Sequence, residues 1–301
     1  MPAFATHHIF ACELLERLPG DYNREAVLLG TQGPDFLFYH RLLPHMRGKP
    51  SLSLGSKLHA ADPAVLFGNM RSNLTDNPIA KSYAAGFLMH YALDRNAHPY
   101  VYCLEEQYIK ARHIHYWNFV VHNRIELNID TYMLRERFGY SDARDFLPGE
   151  EICLDERVLT PVGELLAPTM NQTAASAVTA ADIAQAYADM SYVHNLLRNK
   201  NGERSALLYT LQSPFLLFLG PIFTTATRTK QPDKLWDYMN LNRSEWYYPK
   251  APEKRSRETF DEIFERAKDD ALGLIEGFFG GADLSLLTQS LSFSTGIKAT
   301  P

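Results

Sequence analysis

The sequence predicts an all-α protein, a single multi-helix domain over residues 1–301 with ionisable pairs set into buried helical faces. Three observations carry the prediction. Apolar residues recur at helical spacing in segment after segment. No strand-like alternation reaches a useful length, no glycine-rich phosphate loop precedes a helix, and there are no internal repeats. Between Ser82 and Met133, His90-x-x-x-Asp94-x-x-x-His98 and His122-x-x-x-Glu126 set ionisable side chains four apart, each pair on one helical face.

Composition narrows the class. With 301 residues and 46% hydrophobic content the chain can bury a large core. A net charge of -5 argues against indiscriminate binding to nucleic acid or anionic lipid. Cys12, Cys103 and Cys153 are odd in number and scattered, with no C-x-x-C, so they predict reduced thiols. The N-terminal stretch has no basic n-region ahead of an apolar core, so no signal peptide is predicted. The apolar run 207–223 is broken by Gln212, Ser213, Pro214, Gly220 and Pro221, and reads as a buried helix or, alternatively, an interface or membrane-contact surface. Together these predict a cytoplasmic protein without a transmembrane segment.

In chain order, THHIFACELLERL over 6–18 predicts an amphipathic helix with Thr6 as N-cap and His7 and His8 in its first turn. Residues 24–40 predict a second short helix, then a turn at Gly33-Pro34, then Asp35, which taken alone suits a helix N-terminus. Residues 41–57 form a basic loop with Arg41, His45, Arg47, Lys49 and Lys57. His59 follows in a helical segment that runs to about Ser72.

In the central stretch Tyr83, Phe87, His90 and Asp94 share one stripe, and His122, Glu126, Ile129 and Met133 another. A buried carboxylate or imidazole needs a partner or a metal, and two helices that each present a histidine and a carboxylate inward form a recurrent metal-site geometry. A single such pair is more often a surface hydrogen bond or a satisfied core contact. Two pairs plus His98 in apolar surroundings favour metal.

Residues 139–178, with Pro148, Gly149, Pro161, Gly163 and Pro168, predict an irregular connection. Residues 179–199 predict an amphipathic helix in which His194 is structural. The aromatic segment 233–249 suits either a pocket wall or core packing. Thr259-x-x-Glu262 is a capping box opening a helix that ends near Gly277 and Gly280. The tail 282–301 is weakly specified.

THxxF, GPDFLFY, His59, GFLMHYALDxxxHPY and HNRIELNID together resemble the zinc-dependent phospholipase C-like proteins, and within them a cytoplasmic bacterial branch. The resemblance is strong over 1–135, weaker over 235–280, and leaves the middle uncovered. It implies a mostly helical domain with three zinc ions in a cleft, and related activities in secreted phospholipases C and single-strand-specific zinc nucleases. It implies His7, Asp35, His59, His90, Asp94, His98, His122 and Glu126 as ligands. Asp35, His59, His90 and Asp94 would hold one ion; His98, His122 and Glu126 a second; His7 and a bridging Asp94 the third. The secreted enzymes complete the third site with an N-terminal Trp, whereas this chain begins Met-Pro-Ala-Phe-Ala. That site is then vacant, weaker, or completed by the processed terminus or His8.

The expectation is a zinc-dependent phosphoester hydrolase that cleaves a phosphodiester, in the manner of a phospholipase C, through a metal-activated water. Asp35 is both ligand and candidate general base. The alternatives are a soluble phosphomonoesterase, a nuclease (weakened by the charge), and a non-catalytic metal-stabilised protein that binds a phosphorylated ligand.

Overall fold

A computed structural model describes residues 4–112, 118–199, 203 and 227–298. Among these, the helices in chain order are α1 Phe4–Leu15, α2 Arg24–Gly30, α3 Leu52–Ala60, α4 Pro63–Asn73, α5 Pro78–Arg112, α6 Asn118–Glu136, α7 Glu156–Ala174, α8 Ala180–Leu196, α9 Phe260–Phe279 and α10 Leu284–Thr288. The fold is all-α apart from one short hairpin. The apolar run 207–223 lies outside the described residues. Among the described residues no helix is long and apolar enough to cross a membrane.

Helix α5 is the rod on which the others are assembled. Every residue from Ser82 to Val101 is buried, so this part of the helix has no solvent face. A helix buried all round needs neighbours on every side, and α1, α2, α6, α7 and α9 supply them. The approach of α2 is closest: a Cβ on Gly86 would lie 2.2 Å from the Val27 carbonyl oxygen. This contact seats the turn after α2 beside His90.

Several elements depart from the sequence expectations. Thr6 is not an N-cap, because α1 already begins at Phe4. Asp130 of α6 caps it from outside, accepting the backbone N–H of Ala5 at 3.0 Å and of Thr6 at 2.8 Å. The segment predicted as one helix around His59 is two, because Asp62 caps a new helix with Pro63 in its first turn.

The predicted irregular connection over 139–178 contains α7. Its prolines, Pro161 and Pro168, lie on its less buried side, and the residues four before each, Arg157 and Glu164, are exposed, so water can satisfy the carbonyls that proline leaves without a donor. The opposite stripe, Val158, Leu159, Val162, Leu165, Leu166 and Met170, is buried and holds the helix. The irregular parts are the residues before Asp155, which caps α7, and the short stretch after Ala174.

The hairpin pairs β1 Trp246–Tyr248 with β2 Ala251–Ser256, antiparallel, Trp246 opposite Ser256. Three residues are too few to show alternation in sequence. Trp246 is buried edge-on against Tyr100 of α5 as core packing, and with Trp236 it also lines a cavity of about 140 Å³. The capping box at Thr259 and Glu262 opens α9, which stops at Gly280.

Candidate metal centre

All eight residues that the sequence singled out as ligands converge between α1, α3, α5, α6 and the turn after α2. Helix α5 supplies His90, Asp94 and His98 from successive turns of one stripe. Helix α6 supplies His122 and Glu126, α1 His7 and α3 His59. Asp35 opens a single turn of 3-10 helix over Asp35–Phe38. Gly33, at φ +52°, shapes the preceding bend, and a Cβ there would lie 2.1 Å from the His90 ring. Only glycine lets this backbone pass so close to the imidazole.

Each histidine turns Nε2 towards a carboxylate. His7 lies 3.2 Å from Asp94 Oδ1 and His90 3.1 Å from Asp94 Oδ2. His59 lies 3.0 Å from Asp35 Oδ1, His98 3.5 Å and His122 3.1 Å from Glu126 Oε1. Donor atoms of three sets fall within 4.8 Å of one another: His7, Asp35 and His90; His59, His90 and Asp94; His98, His122 and Glu126.

The far side of four rings is tied down. Nδ1 of His90 meets the Thr31 carbonyl at 3.1 Å, that of His59 the Gly55 carbonyl at 2.8 Å, and that of His98 the Phe293 carbonyl at 2.8 Å. His122 Nδ1 meets Glu105 Oε2 at 2.9 Å. A carbonyl or carboxylate oxygen only accepts, so the proton sits on Nδ1 and Nε2 presents its lone pair. That lone pair faces carboxylate oxygens, an arrangement that repels unless a proton or a metal ion lies between. Outer partners that fix the tautomer in this way are a regular feature of histidine metal ligands.

Unpartnered atoms point the same way. His90 Nε2, both Asp35 oxygens, Asp94 Oδ2 and Glu126 Oε2 are buried and make no hydrogen bond. The donor set, imidazole and carboxylate without thiolate, fits a divalent cation. Without one, the cluster must hold protons. Burial works against a charged His98, yet Asp94 and Glu126 push it up to about 10. His59 and His122 are raised in the same way, against their own burial, by Asp35 and Glu126 respectively. Burial would raise Asp94, but His90 and His98 hold its carboxyl well below the usual range.

The cluster floors an open cleft of about 410 Å³. Asp35, His59, His98, His122 and Glu126 reach it, and Phe38, Leu42, Leu52, Ser56, Tyr102 and Ser294 complete the wall, with no Lys or Arg lining it among the described residues. Phe38 stacks on His59 at 5.6 Å, and Tyr102 packs on His122 at 4.8 Å between ring centroids.

His8 does not join. Its ring packs against Phe138 and Phe146, its Nε2 lies 3.7 Å from Glu151, and burial, with Arg24 nearby, lowers it to about 4. His194 is structural, set against Phe4 and Tyr39. Of the basic loop, Arg41 turns away to Asp182 at 3.2 Å.

Sequence reasoning missed Glu105 and Phe293. Glu105 had a signal, since it lies seven residues after His98 on the same helical stripe. Phe293 acts through its backbone carbonyl, which leaves no mark in residue type. No protein-family model, curated protein or solved structure matches this chain.

Proposed function

We propose that the chain is a divalent-metal-dependent phosphoester hydrolase that holds two or three zinc ions. The observation that carries this reading is the set of five Nε2 atoms turned onto the carboxylates of Asp35, Asp94 and Glu126, part of which lines an open cleft. His98, His122 and Glu126 would hold one ion, and His7, Asp35, His59, His90 and Asp94 the remainder. Manganese and iron accept the same donors, and zinc suits them best as an imidazole and carboxylate site. When bound, such ions lower the pKa of a water to about 7 and offset charge on phosphoryl oxygens.

The chain's own residues orient and shield. Asp35 Oδ2 receives no hydrogen bond, which supports a role as general base toward water. Phe38, Leu42 and Leu52 give the cleft an apolar wall that limits water and accommodates the non-phosphate part of an ester. With no cationic side chain lining the cleft among the described residues, phosphate charge there would be met by the ions, which disfavours a polyanionic nucleic acid. A phosphodiester with an apolar group, as in a phospholipid, is the preferred substrate, with a soluble phosphomonoester second. A non-catalytic metal-stabilised binding protein is disfavoured because a structural site is normally closed by protein ligands, whereas five ligands here line open space. Three free thiols suit the cytoplasm.

The test is metal content of the purified protein together with turnover of a chromogenic phosphodiester and phosphomonoester. Two or three zinc equivalents with chelator-sensitive turnover support the reading, and the preferred ester chooses between the two activities. Stoichiometric zinc without turnover of either ester favours a binding protein. No metal in a folded protein defeats the proposal.

A further inference from the structure

The segment after α10 is clipped against α5 beside the metal centre. The Tyr91 hydroxyl donates to the Leu291 carbonyl at 2.7 Å, and Arg95 donates to the Thr288 carbonyl at 3.2 Å. The segment then closes on itself: Gly296 N–H donates to the Ser292 carbonyl at 3.0 Å, and Ser292 N–H to the Ile297 carbonyl at 2.9 Å.

The seat for this turn is prepared by Pro99. Proline has no N–H, so the Arg95 carbonyl lacks its helical donor. Gly296 packs there at φ +57°, where a Cβ would lie 2.3 Å from that carbonyl oxygen and 2.7 Å from Pro99 Cγ. Any side chain would therefore lift the turn off α5.

From this turn Phe293 reaches the metal centre twice. Its ring is fully buried, with its centroid 4.6 Å from that of Tyr91, 5.8 Å from His59 and 6.1 Å from His90. Its carbonyl accepts from His98 Nδ1. The Nδ1 partners of the other tethered rings lie outside this turn: Gly55 is four residues from His59 on α3, Thr31 directly follows α2, and Glu105 lies on α5 itself. His98 alone among the four takes its Nδ1 partner from a separately seated turn.

We propose that the turn Leu291–Lys298 is a positioning element for the metal centre, with Phe293 as the positioning residue and Gly296 as the latch, so that seating the turn selectively sets the affinity of the His98, His122 and Glu126 site. This rests on the metal reading above and not on hydrolysis. Loss of a histidine's outer partner weakens metal binding by about 10- to 100-fold.

The experiment is zinc competition against a chromophoric chelator on the full chain and on Gly296→Val. One class of zinc should weaken about 10- to 100-fold while the remaining zinc keeps its affinity. Phe293→Ala, which keeps the carbonyl but loses the ring, should weaken zinc less, with Phe293→Leu closer to the parent. Identical competition curves for the parent and Gly296→Val overturn the proposal, as does uniform weakening of every ion. If Gly296→Val does not fold, nitrogen NMR of the zinc-loaded parent decides. His98 must bind through Nε2 and keep a slowly exchanging proton on Nδ1, and coordination through Nδ1 overturns the proposal. A chain that binds zinc with these affinities but hydrolyses nothing defeats the hydrolase reading and leaves this one standing.

Discussion

Helix α5 buries two sets of polar side chains within one turn of each other, and they are satisfied in opposite ways. On one side Arg95 and Asn96 meet Asp270 of α9. Arg95 Nε reaches Asp270 Oδ2 at 2.7 Å, its Nη2 reaches Oδ1, and Asn96 Nδ2 reaches Oδ2 at 2.7 Å. Arg266 and Glu258 extend the network at 2.9 Å. On the other side His90, Asp94 and His98 meet more imidazoles and carboxylates, with no Arg or Lys facing them among the described residues. The first set brings its own cations and leaves none of its atoms unpartnered. The second leaves His90 Nε2 and Asp94 Oδ2 buried and facing each other at 3.1 Å without a hydrogen bond. A closed network holds a fold together, whereas a cluster of imidazoles and carboxylates has the donor set to hold a cation.

The largest break in this comparison should come from His90→Ala. Metal content should fall and phosphoester turnover should drop by more than about 10³-fold, as for loss of a central electrostatic group, with helical circular dichroism retained. Retained zinc and rate would mean that the cluster is wrongly assigned.

Chelation comes next. Each ion at 100 times its dissociation constant stabilises the fold by about 2.7 kcal/mol, so stripping two or three should lower the melting temperature by many degrees. Zinc should restore it, with proton release that a weakly buffered indicator can follow. The converse change, Asp270→Ala, leaves Arg95 buried without its carboxylate and should cost about 3 kcal/mol in urea unfolding. Its zinc content should match the parent, which separates the two halves of α5. A smaller effect is expected for Glu105→Gln, which keeps the contact to His122 but removes the charge. Zinc affinity should weaken about 10-fold, seen by chelator competition.

His194 shows a third way to bury an imidazole, kept neutral with no counter-charge and no metal. Burial, with Arg228 nearby, lowers it to about 3, and its Nε2 is buried without a partner. Between pH 6.5 and 3 the unfolded chain takes a proton that the folded chain refuses. Its stabilisation is therefore complete above pH 6.5 and declines as pH falls, by about 1 kcal/mol per unit. Urea midpoints at pH 7.5 and 5.5 should differ by less in His194→Phe than in the parent.

Much of the metal centre was legible in sequence because its core is local. His90, Asp94 and His98 are spaced by one turn, as are His122 and Glu126, and a helix turns such spacing into a shared face without help from the rest of the chain. The same locality made α9 legible through its capping box. The prolines of α7 misled because a local helix-breaking signal lost to an apolar stripe that pays off only when packed. Thr6 misled for the related reason that its helix is capped by Asp130, 124 residues away.

By itself, then, the sequence determined the helical class, the stripe that α5 buries and the residue types that face the cleft. Only the tertiary structure decided which buried charges are paired with cationic side chains and which are gathered into a candidate metal site. It set Asp270 against Arg95, the Thr31 carbonyl against His90 and the Phe293 carbonyl against His98, 195 residues apart. Helical periodicity assigns a side chain to a face. What meets that face depends on how distant segments pack, and backbone carbonyls are present at every residue, so no residue type announces the ones that matter.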